Sequence, residues 1–232
     1  SGLELMGLKV IVDPMHGSAA GCLDDLFGEG RKGFLEEIRS ERDPLFGGNP
    51  PEPLPPYLVQ LISAVKASTK MGVPALGLVF DGDGDRIAAI DEVGRFCSTQ
   101  LIMPLLIDHL ARVRQLPGCV VKTVSGSDLM RLVAEDFGRE VLELPVGFKH
   151  IAAEMHSKQV LLGGEESGGM GFGMHLPERD ALFAALLLLE AIAEIGQPLG
   201  ACLESLKQRF GESCYQRIDL RLSNAASKQR LE

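Results

Sequence analysis

Apolar residues in this chain come in short strand-like runs separated by stretches of helical spacing. Residues 8–12 form an apolar run ending at Asp13-Pro14, and 16–27 read as helix-like. A second strand is expected at 34–39. Residues 43–56 are dense in Pro and Gly and predict a loop, whereas 57–71 place Leu58, Leu61, Ile62 and Val65 at helical spacing. The run Gly77-Leu78-Val79-Phe80 predicts a buried strand and Ile87-Ala88-Ala89-Ile90 a return strand, closed by Val93-Gly94. Further on, helices are expected at 99–114, 127–137, 149–157, 180–195 and 199–210, with strands at 119–124, 140–144 and 160–162. This alternation predicts an α/β fold: two consecutive α/β domains whose mainly parallel mixed sheets are flanked by helices. The boundaries fall at 1–95 and 96–211, with 212–232 leading outward.

Asp81-Gly82-Asp83-Gly84-Asp85-Arg86 lies between two of these strands. Three carboxylates on alternate residues repel one another unless a cation sits among them, and oxygen-only ligands favour a hard ion, Mg²⁺ first and Ca²⁺ or Mn²⁺ behind it. The glycines allow curvature that turns the aspartates toward one point. A solvated acidic turn is the plainer alternative. An EF-hand is excluded: Asp81, Asp83, Asp85 and Glu92 match its positions one, three, five and twelve, but Arg86 stands where it needs glycine, and a strand rather than a helix enters the loop. An arginine beside a carboxylate cluster instead suggests an anion shared between cation and guanidinium, with phosphate the obvious candidate.

In an open parallel sheet, functional loops lie at the carboxyl ends of strands, and a second loop is expected at such an end. Gly164-Glu165-Glu166-Ser167-Gly168 puts two acids and a hydroxyl on a glycine-framed turn, a composition suited to a polyol, though such turns are also common without function. Val146-Gly147-Phe148-Lys149-His150 also follows a strand. Lys149 at a helix start could serve a phosphate, although an exposed lysine is the commoner occupant. His175 and Arg179 precede a helix for which Asp180 is a plausible N-cap.

Composition narrows the field. With 45% hydrophobic and 24% charged residues, the 232-residue chain is globular, and a net charge of −9 without a basic block argues against nucleic acid or an anionic membrane. Residues 181–195 are short for a membrane span and carry Glu190 and Glu194, so a core helix is expected there. Cys22, Cys97, Cys119, Cys202 and Cys214 are odd in number and lack CxxC spacing. They read as reduced thiols of a cytoplasmic protein, and the five histidines show no zinc spacing. The opening Ser1-Gly2 and the polar run 223–232 suggest a piece of a longer protein.

Together these features resemble the α-D-phosphohexomutase (phosphoglucomutase/phosphomannomutase) superfamily. The resemblance rests on Asp-Gly-Asp-Gly-Asp-Arg at 81–86 followed by Gly-Glu-Glu-Ser-Gly at 164–168. Val-Asp-Pro-Met-His-Gly at 12–17, Gly-Phe-Lys at 147–149 and His-Leu-Pro-Glu-Arg-Asp at 175–180 support it in the expected order. The resemblance implies that 1–95 and 96–211 are the second and third of four domains around one cleft, with 212–232 a linker or the start of the fourth. It implies Mg²⁺ on Asp81, Asp83 and Asp85, catalytic roles for Arg86 and Lys149, and substrate contacts from Glu165, Ser167, His175 and Arg179. The implied reaction interconverts hexose 1-phosphate and hexose 6-phosphate through a phosphoserine and a 1,6-bisphosphate. The Glu-Glu-Ser variant leans toward glucose phosphate over mannose phosphate. The family's serine motif and its final phosphate loop are absent from these residues. The chain by itself is therefore expected to be inactive without the phosphoserine domain and the C-terminal phosphate-binding domain. A non-catalytic metal-binding fragment and a stand-alone Mg²⁺ phosphatase are the alternatives.

Overall fold

The computed structural model describes residues 7–28 and 33–212. The tail expected beyond Glu212, with Cys214, lies outside them. The first unit runs β1 (Lys9–Asp13), α1 (Cys22–Phe27), β2 (Leu35–Glu37), α2 (Val59–Lys70), β3 (Ala75–Phe80), the aspartate loop, β4 (Ile87–Ile90) and β5 (Phe96–Cys97). Then α3 (Thr99–Arg112) leads into a second unit: β6 (Cys119–Thr123), α4 (Asp128–Asp136), β7 (Val141–Leu144), α5 (Phe148–Ser157), β8 (Val160–Gly164), the Glu165 loop and β9 (Met170–Phe172). Two helices follow, α6 (Ala181–Ile195) and α7 (Leu199–Phe210).

The α/β architecture agrees with the sequence pattern, and both sheets are mixed. Strand order is β2-β1-β3-β4-β5 in one and β7-β6-β8-β9 in the other. Within them β2, β1 and β3 are mutually parallel, as are β7, β6 and β8, whereas β4, β5 and β9 run antiparallel to their neighbours. The expected return strand at 87–90 is present, pairing Phe80 with Ile87. Strand β9, in a glycine-rich stretch with little strand propensity, was not anticipated. Neither was β5, a strand of two residues.

The two units follow one connectivity: strand, helix, strand, helix, strand, loop, antiparallel return strand. The Asp81 loop after β3 and the Glu165 loop after β8 are therefore topological equivalents, each at the carboxyl end of the third strand.

The pleat sends alternate residues to opposite faces, and the packing follows it. Val10, Val12, Leu76, Leu78, Phe80, Ile87 and Ala89 point one way, Ile11, Val79, Ala88 and Ile90 the other. The second set packs under α2 with Leu61 and Val65, and in the second unit Val121 and Val160 pack under α5 with Phe148 and Ile151. The first set joins Val120, Leu162, Met170 and Phe172 of the other sheet in one cluster with α3 and α6. Helix α6, apolar nearly all round, touches β4, β9, α3 and α7, which explains why it needs no polar face. Among the described residues no single helix is long and apolar enough to cross a membrane. Cys97, Cys119 and Cys202 are buried and free and Cys22 is half-buried and free, with burial pushing the Cys97 thiol up to about 12.

Because both sheets share one core, the units should unfold together. Leu188→Ala, at a fully buried position of α6, is expected to cost roughly 2–5 kcal/mol in chemical denaturation while leaving a single transition. Two transitions, only one of them shifted, would contradict a shared core.

Candidate functional site

The site begins with a turn after β1. Helix α1 starts at Cys22 rather than near His16, because Met15 (φ 50°) and His16 (φ 62°) take left-handed backbone that a helix cannot contain. A buried ion pair holds this turn. Asp13, fully buried, accepts from the Met15 N–H at 3.0 Å and from Arg39 Nε at 2.9 and 3.1 Å, with a further close contact from Arg39 Nη2. Arg39 also donates to the Tyr57 carbonyl at 3.2 Å, and its own carbonyl accepts from the His16 N–H at 3.0 Å. The turn in turn supports the aspartate loop: the Ser18 N–H donates to the Gly82 carbonyl at 3.0 Å, and a Cβ on Gly17 would stand 2.5 Å from that oxygen.

In the loop, Asp81 is fully buried. Its Oδ1 accepts backbone N–H groups of Gly84, Asp85 and Arg86 at 3.0–3.1 Å, and its Oδ2 accepts from Arg86 Nε at 2.5 Å. Asp81 thus winds the loop around itself and fixes Arg86. Asp83 is exposed and Asp85 half-buried. One carboxylate oxygen from each of the three lies within 4.8 Å of the others. Asp85 Oδ1 is buried with no hydrogen-bond partner among the described residues. Burial, then repulsion from Asp81 and Asp83, pushes the Asp85 carboxyl up to about 6 against the pull of Arg179.

The equivalent loop of the second unit comes directly against this one. Arg86 and Gly169 form an antiparallel bridge, and the Ile87 N–H donates to the Gly168 carbonyl at 3.2 Å. Gly168 sits at φ 112°, and a Cβ there would meet the Ile87 carbonyl at 2.9 Å, so the junction requires glycine. Glu165 is buried, its Oε1 accepting from the Gly147 N–H at 3.0 Å, which ties it to the turn that opens α5. Glu166 turns elsewhere: its Oε2 accepts from the Ser125 hydroxyl at 2.5 Å and its carbonyl from the Thr99 hydroxyl at 3.0 Å. Gln100 holds Ser125 from below, donating to its carbonyl at 2.8 Å. Ser167 is half-buried at the loop tip.

Arg179 crosses between the units, its Nη2 lying 2.6 Å from Asp85 Oδ2. Lys149 stands exposed in the first turn of α5, beside the Gly147 turn that holds Glu165. His175 hydrogen-bonds Asp180 at 2.9 Å and stacks on Phe183 at 4.3 Å, contacts directed to α6 rather than to the aspartate loop. Asp180 caps α6 by accepting from the Phe183 N–H at 2.8 Å. Asp81, Asp83, Asp85, Arg86 and Arg179 are thus gathered at one junction with the Glu165–Ser167 loop. Lys149 flanks it, and His175 contacts α6.

Sequence reasoning gave no role to Asp13 and Arg39, 26 positions apart, or to the Thr99, Gln100 and Ser125 supports of Glu166. Pairing across such separations leaves no local pattern. The one available signal was Asp13 ahead of Pro14 at the end of a buried strand.

An acidic loop and a glycine-framed Glu-Glu-Ser loop, joined edge to edge in a duplicated α/β frame, define the class of chain. Residues 3–94 match the sequence profile described as phosphoglucomutase/phosphomannomutase, alpha/beta/alpha domain II, and residues 99–210 match that of domain III. The chain belongs to the phosphoglucomutase/phosphomannomutase family. Curated relatives include phosphoglucosamine mutases of Desulforudis audaxviator and Solidesulfovibrio magneticus. The first is 30% identical over 209 residues, covering 88% of this chain and 45% of the relative. The second is 30% identical over 195 residues, covering 83% and 42%. Among solved structures, a Thermus thermophilus protein assigned as a phosphomannomutase superposes with a TM-score of 0.81 at 33% identity, covering 90% of this chain and 48% of that one. The chain spans less than half the length of each of these relatives.

The Asp13–Arg39 pair should matter out of proportion to its size. Arg39→Met leaves a fully buried carboxylate unpaired and is expected to lower stability by about 3–5 kcal/mol, with Asp13→Asn added to it restoring part of the loss. A change below about 0.5 kcal/mol for Arg39→Met would show that the pair does not hold the turn.

Proposed function

We propose that this chain supplies the metal-binding and sugar-selecting half of a phosphohexomutase that interconverts hexose 1-phosphate and hexose 6-phosphate. The observation that carries the reading is the junction of the two equivalent loops. The Arg86–Gly169 bridge sets three carboxylates and a guanidinium beside the glutamate- and serine-bearing turn. The donor set suits Mg²⁺: only oxygen ligands, one of them a buried Asp85 oxygen lacking a hydrogen-bond partner among the described residues. Asp81, Asp83 and Asp85 would hold the ion, which when bound offsets negative charge on the phosphoryl group in flight.

The remaining roles belong to the chain's own side chains. Arg86, aimed by Asp81 Oδ2, stabilises charge on the transferring group. Glu165 has one oxygen anchored on the Gly147 N–H and presents the other to a sugar hydroxyl, with Ser167 beside it. Lys149 stands at a helix start where an anionic phosphate is favoured, and Arg179 is a second cation for the substrate. The phosphoserine that exchanges its phosphoryl group with the sugar belongs, in this reading, to a domain other than these two. Breaking its O–P bond as the sugar O–P bond forms yields the 1,6-bisphosphate, and the reverse exchange at the other hydroxyl completes the turnover.

Glucose phosphate is the proposed substrate, on the Glu165-Glu166-Ser167 sequence. Glucosamine phosphate is the second reading, because the curated relatives are named phosphoglucosamine mutases. In a full-length protein containing these residues, a coupled assay with glucose 1-phosphate, Mg²⁺ and catalytic glucose 1,6-bisphosphate should form glucose 6-phosphate, with kcat/KM above that for glucosamine 1-phosphate. The reverse ranking would select the second reading. The 232-residue chain by itself should release neither glucose 6-phosphate nor free phosphate, and free phosphate would point to a phosphatase.

Metal binding can be measured on the chain directly. Asp83→Asn is expected to weaken Mn²⁺ binding in calorimetry, and unchanged affinity would count against the site. Protonated Asp85 cannot serve as an anionic ligand. With its carboxyl pushed up to about 6, affinity should be full near pH 7.5 and about tenfold lower at pH 5. A flat profile between those values would contradict the assignment of Asp85.

A further inference from the structure

Arg179 has a seat built for it. Its stem fills the space beside Gly169, where a Cβ would overlap Arg179 Cδ and lie 3.1 Å from Cγ. Its guanidinium lies 5.7 Å from the centre of the Phe148 ring. Arg179 Nε is buried with no hydrogen-bond partner among the described residues and lies 3.8 Å from Glu178 Oε1, so the outer Nη2, on Asp85 Oδ2 at 2.6 Å, makes the group's close contact. Gly169 and Phe148 of this seat belong to the second unit, and Asp85 to the first. The arginine is held by the second unit and aimed at the aspartate loop of the first.

A divalent cation on Asp81, Asp83 and Asp85 and a guanidinium on Asp85 are like charges drawing on the same carboxylate, and they repel each other at short range in a partly desolvated site. We infer that Arg179 is a metal-sensitive latch: it neutralises Asp85 in the metal-free site and competes with the cation for that carboxylate. When the cation binds, Arg179 releases Asp85, and its guanidinium becomes available to the phosphate of an incoming ligand. Metal loading in one domain thereby sets the positive charge exposed by the other. By linkage, an anion that draws Arg179 away should strengthen metal binding by the same factor that metal strengthens anion binding. The inference rests on the metal reading above and adds a cross-domain competitor to it.

The test is calorimetry with Mn²⁺ as the probe on the 232-residue chain at pH 7.5. Arg179→Gln is expected to bind Mn²⁺ about tenfold more tightly than the natural chain, a factor typical of coupled sites. Gly169→Ala, which drives the arginine stem from its seat without removing its charge from the protein, should shift affinity in the same direction. Arg131→Gln, removing a positive charge paired with Asp128 and Glu135 on α4, should leave affinity unchanged and so excludes a bulk-charge effect. Inorganic phosphate should tighten Mn²⁺ binding to the natural chain and lose that effect in Arg179→Gln. If the natural chain binds Mn²⁺, and Asp83→Asn weakens it, but Arg179→Gln and Gly169→Ala leave it unchanged or weaker, the latch is overturned while the metal site stands. If the natural chain binds no Mn²⁺, both fall.

Discussion

Negative charge crowded at the end of β3 is the constraint around which the rest of this structure is arranged. Asp81, Asp83 and Asp85 bring carboxylate oxygens within 4.8 Å of one another, one of them on a fully buried side chain. Such an arrangement survives only where each charge is met by donors or cations. Three backbone N–H groups and Arg86 meet Asp81 from inside the loop. Asp85 is met from outside by Arg179 of the second unit. The loop can be this acidic because a neighbouring domain contributes to its neutralisation.

Duplicated connectivity is what makes that contribution possible. Each unit places a loop between its third strand and an antiparallel return strand, and the Arg86–Gly169 bridge sets the two loops edge to edge. A shared apolar cluster on the facing sides of both sheets, filled by α3 and α6, fixes the units so that a bridge of one residue pair can persist. Supports lie one step behind each loop. Asp13 and Arg39 hold the turn that braces Gly82, and Thr99, Gln100 and Ser125 draw Glu166 aside, so that Glu165 is the glutamate tied to the α5 turn.

Much of this was legible in the sequence because it is local. The alternation of apolar runs and helical spacing gave the α/β class. The Asp81–Arg86 stretch stood out as a candidate hard-metal site by composition, and the motifs in order gave the family. Asp180 was readable as a cap because capping is a three-residue affair. What was not legible is nonlocal. The Asp13–Arg39 pair and the Arg179–Asp85 contact join residues 26 and 94 positions apart, and no periodicity records them. The repeat of connectivity was missed because the two units share topology but no obvious sequence period. Strand β9 was missed because Met-Gly-Phe has little propensity of its own and is a strand only through its pairing with β8.

The central claim is that the aspartate loop and the Glu165 loop form one site. Titrating Mg²⁺ into the isotopically labelled chain while following backbone amide shifts tests it most directly. The account predicts that amides of 81–87, 165–169 and 179 move together with one midpoint. Shifts confined to 81–87, with 165–169 and 179 unmoved at saturating Mg²⁺, would contradict it.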